Sequence, residues 1–158
     1  ELLISGLKEI EAVVSRSIEL KAKVVSEDEH EKGRREILNF GHTFGHAIEA
    51  AEHYRLSHGT AVGRGMLLEI LLGIELGLTD RDTLGPVEEC LGCLGISIES
   101  ALAINSQEIL HYLRIDKKSK AGGRRFVLIS EIGSVRPNGG EWSHKIEEKT
   151  LVDFLESL

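Results

Sequence analysis

The sequence has little cysteine, proline or aromatic residue and no long hydrophobic run: two Cys, two Pro and 4% Phe, Trp and Tyr in 158 residues. No stretch reaches the roughly 18 consecutive apolar residues that suggest a transmembrane helix, so we predict no membrane span. The formal net charge of -7 argues against nucleic acid as a partner. Length and a hydrophobic fraction of 41% suit a single soluble domain over residues 1–158.

The two cysteines form one Cys-Leu-Gly-Cys segment, Cys90 to Cys93. A cysteine zinc site needs further soft ligands, and no second pair exists. We interpret the pair as two small apolar residues in a helical segment, in a reducing compartment. The expected location is therefore cytoplasmic.

Hydrophobic periodicity predicts a mainly α-helical fold with a small β-hairpin. The predicted helices cover residues 2–26, 34–54, 59–76, 79–94, 105–114 and 147–158. The predicted hairpin joins residues 125–130 to residues 134–136, and the charged stretch 26–33 is expected to be a solvated loop. Gly41 and Gly45 lie inside the second predicted helix, which suggests close approach by a ligand or a neighbouring helix.

Histidines supply the densest chemical signal. His42 and His46 are four residues apart, so they share one face of a helix, with Glu49 and His53 roughly on the same side. His58 lies at the start of the next predicted helix and is positioned to fold back toward them. Such a group suits a divalent metal or acid/base chemistry. A polar helix face or a structural histidine pair is the alternative, and spacing leaves both open.

A second pattern concerns anion binding. On one continuous helix, Arg35, Asn39, His42 and His46 would form a stripe suited to a carboxylate or phosphate. A solvated face, with Arg35 paired to a neighbouring glutamate, is the alternative. Lysines 117 and 118 could neutralise a phosphate or form an exposed basic turn.

The chain resembles the 3-dehydroquinate synthase family. The resemblance rests on Lys21-Ala-x-Val-Val, Asp28-Glu-x-Glu-x-Gly-x-Arg35, Leu38-Asn-Phe-Gly-His-Thr-Phe-Gly-His-Ala-Ile-Glu49, His58-Gly-x-Ala-Val62 with Gly65-Met66, Asp116-Lys-Lys118 and Phe126-Val-Leu-x-x-x-Ile-Gly133. It implies the helical C-terminal, metal-binding domain of an enzyme whose N-terminal α/β domain binds NAD. It also implies conversion of a sugar-acid phosphate to 3-dehydroquinate with a divalent metal, zinc or cobalt, in an enzyme expected to be a homodimer.

The same resemblance implies site residues. His42 and His58 would be metal ligands, and His46 would be a catalytic group near the substrate phosphate. Arg35 and Asn39 would be catalytic and would also contact the substrate. The remaining substrate-binding residues would be Lys21, Lys117 and Lys118. The third metal ligand, a Glu, is expected upstream of residue 1, as is the NAD-binding segment. Because the chain starts with Glu1, we expect a fragment that is inactive alone and binds zinc weakly.

Two departures concern fine details near His58: Thr60 stands where the family usually has an acidic residue, and Arg64 where it has a small or apolar one. The alternative functions are a related sugar-phosphate cyclase (2-deoxy-scyllo-inosose or valiolone synthase-like) and, more distantly, a metal-dependent polyol dehydrogenase. A metal-free, non-catalytic interaction domain is the alternative from another class.

Overall fold

The computed structural model describes residues 2–30, 33–119 and 124–158. Within these ranges are seven α-helices and four short strands, which confirms the prediction of a mainly α-helical fold with a small β element. No helix in the described ranges is both long and apolar enough to cross a bilayer. The chain consists of two compact units, residues 1–38 and residues 39–158.

The first unit is dominated by helix α1, Leu2–Glu27, at almost the predicted bounds. The acidic stretch after it has a structural role as well as charge. The Asp28 carboxylate accepts hydrogen bonds from the backbone N–H groups of Gly33 (2.8 Å) and Arg35 (3.0 Å). Asp28 is half-buried. This carboxylate is therefore not simply solvated, as the sequence predicted for the whole stretch, but holds the turn in place.

The prediction of one helix over residues 34–54 is wrong. The chain forms a 3-10 helix, Arg34–Asn39, and then α2, His42–Ala51. Between them Gly41 has a φ of 81°, a left-handed conformation that a right-handed helix cannot pass through. Arg35, Asn39, His42 and His46 therefore do not lie on one continuous helix, the condition on which the predicted stripe depended.

Helix α3, His58–Glu75, crosses α2 with backbone contact. A Cβ on Gly65 would lie 2.1 Å from the carbonyl oxygen of Gly41 and 2.6 Å from the backbone nitrogen of Gly45. A Cβ on Gly45 would itself lie 3.0 Å from the Cα of Val62. The close approach of α3 therefore explains why Gly41 and Gly45 have no side chain.

We expect Gly65→Ala to lower the free energy of unfolding by about 3 kcal/mol, because the neighbouring atoms are backbone and cannot move aside. The matched control is Gly59→Ala in the first turn of α3, where an added Cβ meets nothing within 4 Å. That substitution should raise stability by up to about 1 kcal/mol. Urea unfolding of both variants measures the difference, and equal stabilities would contradict the backbone contact.

The rest of the second unit completes the core. Its helices are α4 (Leu84–Gly92), α5 (Ile98–Leu102), α6 (Ser106–Ser119) and α7 (Glu148–Ser157). Its strands are β1 (Arg125–Phe126), β2 (Ile129–Glu131), β3 (Ser134–Val135) and β4 (His144–Lys145). The predicted hairpin is confirmed for β2 and β3, whereas β1 pairs antiparallel with the unpredicted β4. Helix α5, also unpredicted, begins with a capping box at Ser97.

The hydrophobic core lies between α2, α3, α6, α7 and the first strand. The ring of Phe44 on α2 is 5.1 Å from that of Phe126 and 6.2 Å from that of Phe154. Other fully buried side chains around these rings include Ile48, Leu67, Leu68, Leu72, Ile109, Leu110, Leu113, Leu128 and Leu151. This packing fixes α2 against α3, the two helices that carry the histidines.

Candidate functional site

Three imidazoles converge where α2 and α3 begin. His42 is the first residue of α2, His46 follows one turn later, and His58 is the first residue of α3. The ring centroid of His42 lies 5.6 Å from that of His46 and 5.4 Å from that of His58. The centroids of His46 and His58 are 6.0 Å apart. The structure therefore brings together the three histidines that the sequence singled out.

A short strained turn returns the chain to the cluster. After α2, His53 and Tyr54 have φ values of 52° and 58°, a left-handed conformation that non-glycine residues rarely adopt. Ser57 then caps α3, since its hydroxyl accepts the backbone N–H of Thr60 at 3.2 Å. His58 is thereby placed in the first turn of α3, facing α2. His53 itself lies beyond the end of α2, so its predicted place on the helix face is wrong.

The hydrogen bonds of two histidines fix which ring nitrogen is protonated. The Nδ1 of His42 lies 3.2 Å from the carbonyl oxygen of Phe40, which can only accept, so Nδ1 donates. The Nδ1 of His58 lies 3.2 Å from Oε2 of Glu49 and donates to that carboxylate. In both rings Nε2 is the nitrogen left to face a metal, the arrangement found in metal-binding histidines with a carbonyl or carboxylate partner.

Glu49 is the site residue to which sequence reasoning gave no role, although it was placed near the right side of the helix. Its carboxylate is half-buried and lies between His58 and the second turn of α2. One ligand atom each from His46, Glu49 and His58 lies within 4.8 Å of the others. The position of Glu49, three residues after His46, was a clue in the sequence. Its contact with His58, however, exists only because the turn after α2 brings His58 back to α2.

The donor set fits a divalent cation. Imidazole nitrogen and carboxylate oxygen are ordinary zinc ligands, and His46, Glu49 and His58 supply such a group. The ring of His42 adjoins it, with its centroid 5.4 Å from that of His58. Cys90 and Cys93 are exposed free thiols and contribute to no such group within the described residues.

A cleft beside His46 opens between α2 and α6. Its surface combines one imidazole with two phenol rings and several aliphatic side chains. The lining residues are Thr43, His46, Ala47, Ala50, Tyr54, Tyr112, Leu113 and Ile115. The site thus adjoins a concave surface, as a small-molecule site requires.

The remaining predicted site residues belong to other elements of the chain. Asn39 is exposed at the end of the 3-10 helix. Lys21 is exposed on α1, and Arg35 donates through Nη1 to the carbonyl oxygen of Glu29, both within the first unit. Lysines 117 and 118 belong to the last turn of α6, but their side chains lie outside the described residues.

Comparison with known proteins identifies the family to which this chain is similar. The family described as 3-dehydroquinate synthase C-terminal matches residues 2–119. The 3-dehydroquinate synthase of Dictyoglomus turgidum is 42% identical over 144 residues, which are 90% of this chain and 39% of that protein. That of Francisella tularensis subsp. holarctica is 44% identical over 125 residues, 78% of this chain and 35% of that protein. The chain thus spans well under half the length of these curated relatives.

Solved structures of related cyclases share the fold. A 2-deoxy-scyllo-inosose synthase complexed with carbaglucose-6-phosphate, NAD⁺ and Co²⁺ is 25% identical, with a TM-score of 0.79 over 95% of this chain and 41% of that one. The 2-epi-5-epi-valiolone synthase of Streptomyces hygroscopicus subsp. jinggangensis, with NAD⁺ and Zn²⁺ bound, is 21% identical with a TM-score of 0.70, over 92% of this chain and 39% of that one. Since the family match covers residues 2–119 and the curated relatives align over most of the sequence, this chain belongs to the 3-dehydroquinate synthase family.

Proposed function

We propose that residues 1–158 are the metal- and substrate-binding C-terminal domain of a 3-dehydroquinate synthase. The whole enzyme would convert 3-deoxy-D-arabino-heptulosonate 7-phosphate to 3-dehydroquinate and phosphate. The observation that carries the proposal is the convergence of His42, His46 and His58, with ring centroids no more than 6.0 Å apart, in a chain of this family.

His42 and His58 would hold the divalent cation, zinc or cobalt, through Nε2. Their Nδ1 atoms already donate to Phe40 and Glu49, which supports this choice of nitrogen. A glutamate upstream of residue 1 would be the third ligand. When bound, such a cation polarises an attached oxygen and makes its proton easier to remove. Glu49 would act on His58 by orienting its ring.

His46 would hold or release a proton at a ring nitrogen near the substrate phosphate. Imidazole is suited to this because it changes charge near neutral pH, and the side chain of His46 is exposed beside the cleft. Arg35 and Asn39 would contact the substrate as catalytic and binding groups. Lys21, Lys117 and Lys118 would complete the recognition of its carboxylate and phosphate through charge-assisted hydrogen bonds.

NAD would bind mainly to an N-terminal domain outside this chain, and the full-length enzyme would be a cytoplasmic homodimer. The presence of NAD⁺ and Co²⁺ in the structurally similar 2-deoxy-scyllo-inosose synthase supports these cofactors. That similarity also makes a related sugar-phosphate cyclase the second candidate. The higher identity to 3-dehydroquinate synthases, 42% against 25%, favours the first.

A measurement of phosphate release distinguishes 3-dehydroquinate synthase from a related sugar-phosphate cyclase. We expect the longer protein that contains this chain to release phosphate from 3-deoxy-D-arabino-heptulosonate 7-phosphate when NAD⁺ and zinc are supplied. It should not act on a hexose 6-phosphate, and the 158-residue chain alone should release none, because NAD and the third ligand would be missing. Faster release from the hexose phosphate would support the second candidate. Turnover by the isolated chain would overturn the domain assignment, and full activity of His42→Ala in the longer protein would contradict the role of His42 as a metal ligand. No phosphate release from either substrate would favour an interaction domain.

A further inference from the structure

Helix α2 begins without a capping side chain of its own. The residue before its first turn is Gly41, in the left-handed conformation. A Cβ there would lie 2.5 Å from Cγ of Met66 and 2.8 Å from the carbonyl oxygen of Val62, so a serine or aspartate cap has no room. The first N–H groups of a helix have no acceptor within the helix and need one elsewhere.

The missing acceptor comes from Glu69 on α3. Its Oε2 accepts the N–H of Gly41 at 2.8 Å, although the two residues are 28 positions apart. The backbone N–H groups of Thr43 and Phe44 also stabilise the charged form of this carboxyl group. An acidic group is favoured at this end of a helix because the helix dipole is positive there.

Burial makes this arrangement costly. Glu69 is fully buried among apolar residues of α3, and its Oε1 has no hydrogen-bond partner among the described residues. Burial raises the pKa of Glu69 to about 8, against the opposing effect of the Gly41, Thr43 and Phe44 amides. An apolar residue at this position would avoid the cost of a buried polar group, so the carboxyl group points to a specific role.

We propose that Glu69 is a positioning residue: its carboxyl group caps α2 from α3 and thereby sets His42 relative to His58. Gly41, whose N–H it accepts, directly precedes His42, and His58 begins the same helix that carries Glu69. The Glu49–His58 hydrogen bond is a second link between the same two helices. The inference rests on the proposed function only for what the histidines bind.

Hydrogen exchange and histidine NMR of the metal-free chain test this without any assay of activity. Glu69→Gln keeps an acceptor oxygen at the same reach, whereas Glu69→Asp keeps the carboxyl group but is one methylene shorter. We expect exchange at the amides of Gly41, Thr43 and Phe44 to stay within threefold of wild type in Glu69→Gln. In Glu69→Asp it should rise at least tenfold, and the His42 imidazole signals should shift.

Glu75→Gln, at an exposed position of α3, is the matched control and should change neither readout. The signals of His111 and His144, which lie on other elements, should stay in place in every variant. Unchanged exchange in Glu69→Asp, or an equal rise in Glu69→Gln, would overturn the positioning role. Neither measurement needs metal or substrate. The test of Glu69 therefore stands even if the proposed enzymatic activity is not found.

Discussion

Raising the pH from about 5 to about 9 is expected to destabilise this chain, with Glu69 as a principal cause. Its pKa is raised from 4.5 to about 8, chiefly because burial penalises the charged carboxylate. Between these values the unfolded chain releases a proton that the folded chain retains. Rising pH therefore favours the unfolded state, and the stability present below pH 4.5 is lost as the pH passes through about 8.

A pKa shift of this size changes the free energy of unfolding by about 5 kcal/mol at most. Glu69→Gln isolates it, since the amide cannot ionise. The stability of Glu69→Gln relative to wild type should rise with pH and level off above the folded pKa. Urea unfolding of both proteins across the pH range measures the difference, and parallel stability curves would contradict a protonated, buried Glu69.

Much of the fold follows from local patterns. Helices α1, α3 and α7 begin and end within two residues of their predicted bounds, because amphipathic spacing and a cap such as Ser57 are properties of neighbouring residues. The pairing of β2 with β3 was also predictable, since a two-residue connection that contains a glycine is typical of a β-hairpin.

What the sequence does not reveal depends on contacts across the chain. The break at Gly41 lies where Val62 and Met66 of α3 leave no space for a Cβ, whereas the hydrophobic periodicity of the sequence continues through it. The role of Glu49 depends on the left-handed residues His53 and Tyr54, which nothing in their local pattern predicts. Glu69 did leave a signal, as a carboxylate between Leu68 and Ile70 in the most apolar stretch of α3, but its partner could not be inferred.

Removing either proposed ligand histidine is expected to weaken zinc binding by at least about tenfold in the 158-residue chain, because loss of an outer-shell partner alone costs that much. His42→Ala and His58→Ala should both show this loss. His46→Ala should stay within threefold of wild type, since His46 is assigned to the substrate. The matched control is His111→Ala, an exposed histidine on α6.

The most direct test is a zinc titration of the wild-type chain and these four variants, followed by the imidazole NMR signals. We expect the signals of His42 and His58 to shift together in the wild-type chain, with one zinc ion per chain. The shift of His58 should vanish in His42→Ala, and that of His42 should vanish in His58→Ala. If His46→Ala abolished binding while His42→Ala left it unchanged, the metal would belong to His46, Glu49 and His58. That result, or the absence of any histidine shift, would contradict the assignment of His42 and His58 as the ligands.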